Sequence, residues 1–238
     1  MSVTGFTHMT PKAEHHRCLV VVLYAIAMAW VEAAVVYYLR SLIHRINPYQ
    51  PYPLPMAGGF GEAELIREIA TLIMLFTVGW LAGATWRARF GYSVVAFGVW
   101  DIFYYAFLRL MTGWPKSLLD WDILFLIPLP WWGPVWAPTS IALLMILWGT
   151  FMTKVERSPV SFGSQGKFLV LGGLGASLAL FTFMADAIQT ADQGTKALRH
   201  MLPVRFNWPL FGVALALMAL PVADVARQGL RARRRVQS

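Results

Sequence analysis

The chain has 238 residues, of which 58% are hydrophobic and only 13% are charged, and its formal net charge is +8 at pH 7. A soluble globular domain carries about a quarter charged residues, so this composition excludes an ordinary soluble domain. The long apolar runs instead predict an all-α, polytopic integral membrane protein. No polar stretch is long enough to fold separately, so we expect a single membrane domain over residues 1–238.

Six apolar stretches each approach the length of about 20 residues that a helix needs to cross a bilayer. The fourth is too long for one crossing and contains four prolines, which predicts a long helix broken by proline. The six predict a bundle over residues 18–225, between a segment at 1–17 and a basic tail at 226–238. In chain order the stretches are 18–39, 66–84, 92–111, 123–152, 168–187 and 208–225.

The connections on one side of the predicted bundle are rich in basic residues, among them Arg87, Arg89 and Lys154. Five arginines follow the last stretch on the same side. Because cytoplasmic loops are enriched in lysine and arginine, both termini should be cytoplasmic. In a bacterial cell this corresponds to a multi-pass protein of the inner (plasma) membrane. The basic tail would contact anionic lipid headgroups, and its position beside the membrane argues against a nucleic-acid partner.

Acidic residues lie inside the apolar stretches, mostly in the half of the bilayer opposite the basic side. Glu32, Glu68 and Asp101 occupy three different stretches. A charge at this depth is costly unless it is paired or hydrated, so it marks a candidate functional site. We expect these three carboxyls to be the candidate catalytic acids or bases.

Three arginines lie on the same stretches as these acids, namely Arg40, Arg67 and Arg109. If each pairs with a carboxylate, it holds that acid ionised; if it faces a ligand, it suits a carboxylate or phosphate group. Asp186, near the end of the fifth stretch, is a further candidate ligand contact.

Two segments resemble each other, because in each an arginine follows an acid by eight residues with a tyrosine pair between them. Tyr38 belongs to the pair after Glu32, and Tyr105 to the pair after Asp101. Eight residues rotate a helix by only about 80°, so each arginine would reach back toward its acid. This pattern is typical of a parallel internal repeat, and chance similarity is the alternative.

Aromatic and potential metal-binding residues complete the set of candidates. Trp131 and Trp132, in the proline-rich fourth stretch, would wall a pocket for an apolar or cationic ligand. A single cysteine and five histidines outside the apolar stretches give no cofactor or metal motif, so we expect neither. The alternative is a divalent cation held by Asp120, Asp122 and Glu64.

These residues fit three functions. The first is a membrane enzyme that acts on a lipid, isoprenoid or other amphiphile by acid–base chemistry, and we prefer it. The second is a non-catalytic subunit of a larger membrane complex, for example a respiratory or redox complex. The third is a small proton-coupled transporter. The expected partners are membrane lipids, together with an amphiphilic small molecule or partner membrane subunits, and homo-oligomers are compatible with all three functions.

Overall fold

The structure is a computed structural model that describes residues 11–50, 60–154 and 166–237. The start of the N-terminal segment and most of the proline-rich first connection lie outside the described residues. Among the described residues, six helices are long and apolar enough to cross a membrane, which confirms the predicted number of spans. The elements are α1 (Pro11–Leu42), α2 (Phe60–Ala82), α3 (Trp86–Thr112), β1 (Trp121–Phe125), β2 (Trp131–Pro134), α4 (Trp136–Lys154), α5 (Gly166–Ala191), α6 (Thr195–His200) and α7 (Trp208–Gln237).

The spanning helices alternate in direction, so the bundle has two ends. At the hairpin side, α1, α3 and α5 end while α2, α4 and α7 begin; at the tail side, the reverse holds. The centre of the bundle is α3, which packs against α1, α2 and α4, and α7 joins α4 to α5. Local chemistry fixes both ends of α3. The Thr85 hydroxyl accepts from the Ala88 N–H at its start, and Gly113, at φ 73°, closes its last turn.

The predicted fourth helix over residues 123–152 is wrong in its first part, because α4 begins only at Trp136. The residues before it form an antiparallel hairpin in which Asp122 pairs with Gly133 and Ile123 with Trp132. Prolines explain the difference. Pro128 and Pro130 cannot continue a helix, and since they lack an N–H they leave fewer backbone donors to satisfy at the hairpin turn.

This hairpin, residues 121–134, extends from the hairpin side into the bundle. Near its start Asp122 is bonded to Arg40 on α1, and Phe125 at the end of β1 packs on Trp100 of α3. The N–H of Leu126, just past β1, donates to Glu68, which lies about 12 Å along α2 from its first residue. The hairpin therefore brings an irregular backbone segment between the helices at the level of the acidic residues.

Candidate functional site

A cavity of about 700 Å³ lies between the helices and the hairpin. Its volume is within the usual range for sites that bind small molecules. At the hairpin side its wall is polar, with residues from α1, α2 and α3. Toward the tail side the wall is apolar and includes Phe97, Ile141, Met145, Trp148, Leu180 and Met218. The cavity therefore has a polar end and an apolar chamber.

Arg67 is the centre of an ion cluster at the polar end. Its Nε and Nη2 donate to Glu64 Oε2 at 2.9 and 2.7 Å, and its Nη1 donates to Glu32 Oε1. The Thr71 hydroxyl donates to the second oxygen of Glu32 at 3.1 Å. Since Glu32 is on α1 and the others are on α2, this cluster ties the two helices together, and both carboxylates share the charge of Arg67.

Arg40 fastens the hairpin to α1. Its Nη2 donates to Asp122 Oδ1 at 2.7 Å, its Nη1 donates to the Ile46 carbonyl oxygen at 3.3 Å, and its guanidinium lies 4.4 Å from the centre of the Trp114 ring. Asp122 is fully buried, and Tyr105 lies beside it. This pairing differs from the expectation that Arg40 would reach back along its own helix to Glu32.

Glu68 accepts a hydrogen bond from the backbone at the turn of the hairpin. Both of its carboxyl oxygens lie 3.1 Å from the Leu126 nitrogen, which donates to them. A buried backbone N–H without a partner is costly, so this acceptor stabilises the hairpin where it turns. Glu68 is itself 7% exposed and, within the described part of the chain, forms no ion pair.

Asp101 differs from the other two predicted catalytic acids. It is 8% exposed and lines the cavity, and its Oδ2 is buried with no hydrogen-bond partner among the residues that the structure describes. In the described ranges no arginine forms an ion pair with it. The rings of Trp100 and Tyr104, stacked with centres 6.1 Å apart, also belong to the cavity wall. Asp101 is thus an acceptor in the cavity whose interactions the protein does not itself satisfy.

Two of the predicted ligand contacts join this wall. Tyr105 lies one turn beyond Asp101 on α3, and Trp131 begins β2 and stacks on Phe183 of α5 at a ring distance of 6.5 Å and an angle of 5°. The hairpin contributes to both: β2 brings Trp131 to the cavity, and β1 places Asp122 beside Tyr105. The structure therefore unites Glu32, Arg40, Arg67, Glu68, Asp101, Tyr105 and Trp131 in one cavity wall.

Four other predicted contacts do not line the cavity. Tyr38 is 61% exposed on the surface of α1, and Trp132 is buried on the other face of the hairpin. Arg109 donates to the Pro115 carbonyl oxygen and lines a separate groove. Asp186 is half-buried on α5, outside the cavity lining. Because Arg40 and Arg109 have such different partners, the similar spacing of their segments does not produce similar contacts.

Asp120 and Asp122, two of the three acids considered for a divalent cation with Glu64, have partners within the protein. Asp122 is paired with Arg40, and Asp120 accepts from the backbone N–H groups of Lys116 and Ser117. In the described residues, no group of three or more histidine, cysteine or acidic side chains is arranged to hold a metal ion.

Sequence reasoning missed the internal position of Asp122 and the cavity role of Tyr104. One signal was present, because Asp122 is the last charge before an apolar segment of 31 residues without one, at positions 123–153. Comparison with known proteins adds no assignment: no family model, no curated protein and no solved structure matches the chain. The cavity and its charges must therefore carry any functional conclusion.

Proposed function

We propose that the protein is an integral membrane enzyme that acts on a lipid, isoprenoid or other amphiphile by acid–base chemistry. The observation that carries the proposal is the cavity, which joins an unpaired carboxyl, Asp101, to an apolar chamber. An amphiphile would place its polar head at the acidic end and its chain among the aromatic and aliphatic residues. An apolar cavity of this size favours such an occupant over water.

The three candidate acids have different roles in this proposal. Glu32 is held by Arg67 and Thr71, and Glu68 by the hairpin, so both act as positioning residues. Asp101 forms no ion pair with the described residues, so it can accept a proton from the substrate or return one. Tyr105 and Trp131 shape the wall against which the substrate lies.

The membrane orientation belongs to the same proposal. The basic residues Arg87, Arg89 and Lys154 lie at the tail side, so positive-inside asymmetry places that side in the cytoplasm. The hairpin side and the acidic end of the cavity then face the periplasm, with the protein in the inner membrane. The transporter alternative has less support, because the tail-side part of the cavity wall contributes no charged group.

The experiment begins with the protein extracted gently from its own membranes and analysed by native mass spectrometry. We expect an amphiphile bound to the wild-type chain, and much less bound to Gly173→Phe, which fills the apolar chamber. Stoichiometric partner chains without a bound amphiphile would instead favour the subunit alternative.

Chemistry is then tested by incubating wild type and Asp101→Asn with the total lipid extract of the host. Untargeted mass spectrometry should find a conversion that requires wild-type protein and that Asp101→Asn loses while still retaining the amphiphile. Equal conversion by both proteins would contradict the assignment of Asp101 as the acid–base group.

A further inference from the structure

The polar end of the cavity has a charge arrangement that selects among head groups. We infer that the amphiphile carries a cationic nitrogen head, an amine or a quaternary ammonium, which binds between Asp101 and the aromatic rings beside it. This inference rests on the proposed function, since it assumes that the cavity holds an amphiphile.

The charges in and behind the polar wall do not balance. Two more carboxyls than guanidiniums are present among the described residues there. Uncompensated carboxylates are costly at membrane depth, and a cation in the cavity would offset that cost. The carboxyls are Glu32, Glu64, Glu68, Asp101 and Asp122, and the guanidiniums are Arg40, Arg45 and Arg67.

These three guanidinium groups already donate to acceptors within the protein. Arg40 is bonded to Asp122, and Arg67 is shared by two glutamates. Arg45 donates to the carbonyl oxygens of Pro48 at 2.8 Å and Gln50 at 2.7 Å. A phosphate or carboxylate head would compete with these acceptors, whereas among the described residues Asp101 forms no ion pair and its Oδ2 has no hydrogen-bond partner.

Aromatic rings form the cavity wall beside Asp101. Trp100 stacks on Tyr104 with an angle of 22° between the rings, and Phe125 of the hairpin lies 6.4 Å from Trp100. All three residues line the cavity. The negative faces of aromatic rings attract quaternary and protonated nitrogen, and an adjoining carboxylate completes a typical ammonium site.

The chain of the amphiphile has room to extend toward the tail side. A Cβ atom added at Gly173 would meet nothing within 4 Å, although this glycine lines the cavity. Phe90 and Leu169, at the same end of the lining, are 43% and 47% exposed. The apolar chamber is thus continuous with the surface that faces the lipid, so a chain enters it from the membrane.

The test compares three dodecyl probes that differ only in their heads: trimethylammonium, hydroxyl and sulfate. Each carries bromine near the chain end and is titrated into the full-length protein in neutral maltoside micelles. Binding is measured as tryptophan quenching in excess of that seen with Gly173→Phe, which subtracts contacts at the outer surface. The matched control is Gly229→Phe, which adds the same side chain in open space on α7, outside the cavity lining, and should leave binding unchanged.

We expect the trimethylammonium probe to bind about tenfold more tightly than the sulfate probe, and Asp101→Asn to remove most of that preference. Equal or tighter binding of the hydroxyl or sulfate probe would overturn the inference while supporting an amphiphile site. A preference unchanged in Asp101→Asn would overturn it as well. If no probe quenches wild type more than Gly173→Phe, the cavity takes no amphiphile and the proposed function fails.

Discussion

The two halves of the bundle are held together by different forces. In the hairpin-side half, ion pairs and hydrogen bonds join the elements, through Arg67 between α1 and α2 and through Arg40 between α1 and the hairpin. In the tail-side half, the helices approach closely at glycines instead. Lipid is as apolar as the side chains, so helices in a membrane associate through close packing or polar contacts. In this protein polar contacts dominate in the hairpin-side half, and close packing dominates in the tail-side half.

The tail-side packing involves α2, α3 and α4. A Cβ atom at Gly79 would overlap the backbone of Ser93, and one at Gly149 would lie 2.5 Å from the Gly91 carbonyl oxygen. The Ser93 hydroxyl adds a hydrogen bond of 3.0 Å to the Phe76 carbonyl oxygen across α2 and α3. Among the described residues, the buried charged side chains all lie in the other half, which contains the cavity's polar end.

The largest effect on stability should come from Arg67→Met in the hairpin-side half. This change leaves Glu32 and Glu64 without their shared cation. Removing one partner of a buried pair costs about 3–5 kcal/mol, and the partial exposure of Arg67 and Glu64 places this change toward the lower end of that range. The measurement is the free energy of unfolding in mixed micelles, followed by circular dichroism.

Glu32→Gln in the same chain should recover a large part of that loss, because it removes one stranded charge. A cost below about 1 kcal/mol for Arg67→Met would be typical of a surface ion pair, and it would contradict the role given to this cluster.

In the tail-side half, Gly149→Ala should destabilise the bundle by about 1–3 kcal/mol, since the added methyl group presses on the backbone of α3. The same unfolding measurement applies. The matched control is Gly173→Ala, which adds the same methyl group to open space; it should not destabilise the protein and gains up to about 1 kcal/mol from the higher helix propensity of alanine. Equal effects at the two positions would show that glycine packing is not what holds this half.

At the hairpin tip, Glu68→Leu should cost about 1–3 kcal/mol, the cost of a buried donor left without a partner, because the Leu126 N–H loses its acceptor. Glu68→Gln keeps a carbonyl oxygen and should cost less. Hydrogen exchange followed by mass spectrometry should show faster exchange of hairpin peptides in Glu68→Leu than in Glu68→Gln. Identical exchange in the two variants would argue that the hairpin does not depend on this acceptor.

The smallest effect is expected for Asp101→Asn, which should change the free energy of unfolding by no more than about 0.5 kcal/mol. Asp101 forms no ion pair with another described residue, and its Oδ2 has no hydrogen-bond partner among them, so little is lost while the shape of the side chain is nearly kept. A loss above about 1 kcal/mol in the unfolding measurement would identify Asp101 as a structural residue and weaken the functional proposal.

The spans and the candidate acids were predictable because each depends on local sequence. An apolar run of sufficient length predicts a crossing wherever it packs, and Glu32, Glu68 and Asp101 stood out as charges within such runs. The fourth run was mispredicted because an apolar segment with prolines fits both a broken helix and a buried hairpin. The pairing of β1 with β2 and the contact of Leu126 with Glu68 decide between them, and neither contact is visible in local sequence.

The sequence by itself determined that this is a membrane bundle of six spanning helices with acids and arginines gathered toward one side, since composition and charge depth are properties of each residue in place. Only the tertiary structure decided which charges neutralise one another. Arg40 does not pair with Glu32 on its own helix but donates to Asp122, which is 82 residues away in the sequence. These pairings depend on where the hairpin enters the bundle. Among the described residues, they leave Asp101 as the cavity-wall carboxyl whose Oδ2 has no hydrogen-bond partner.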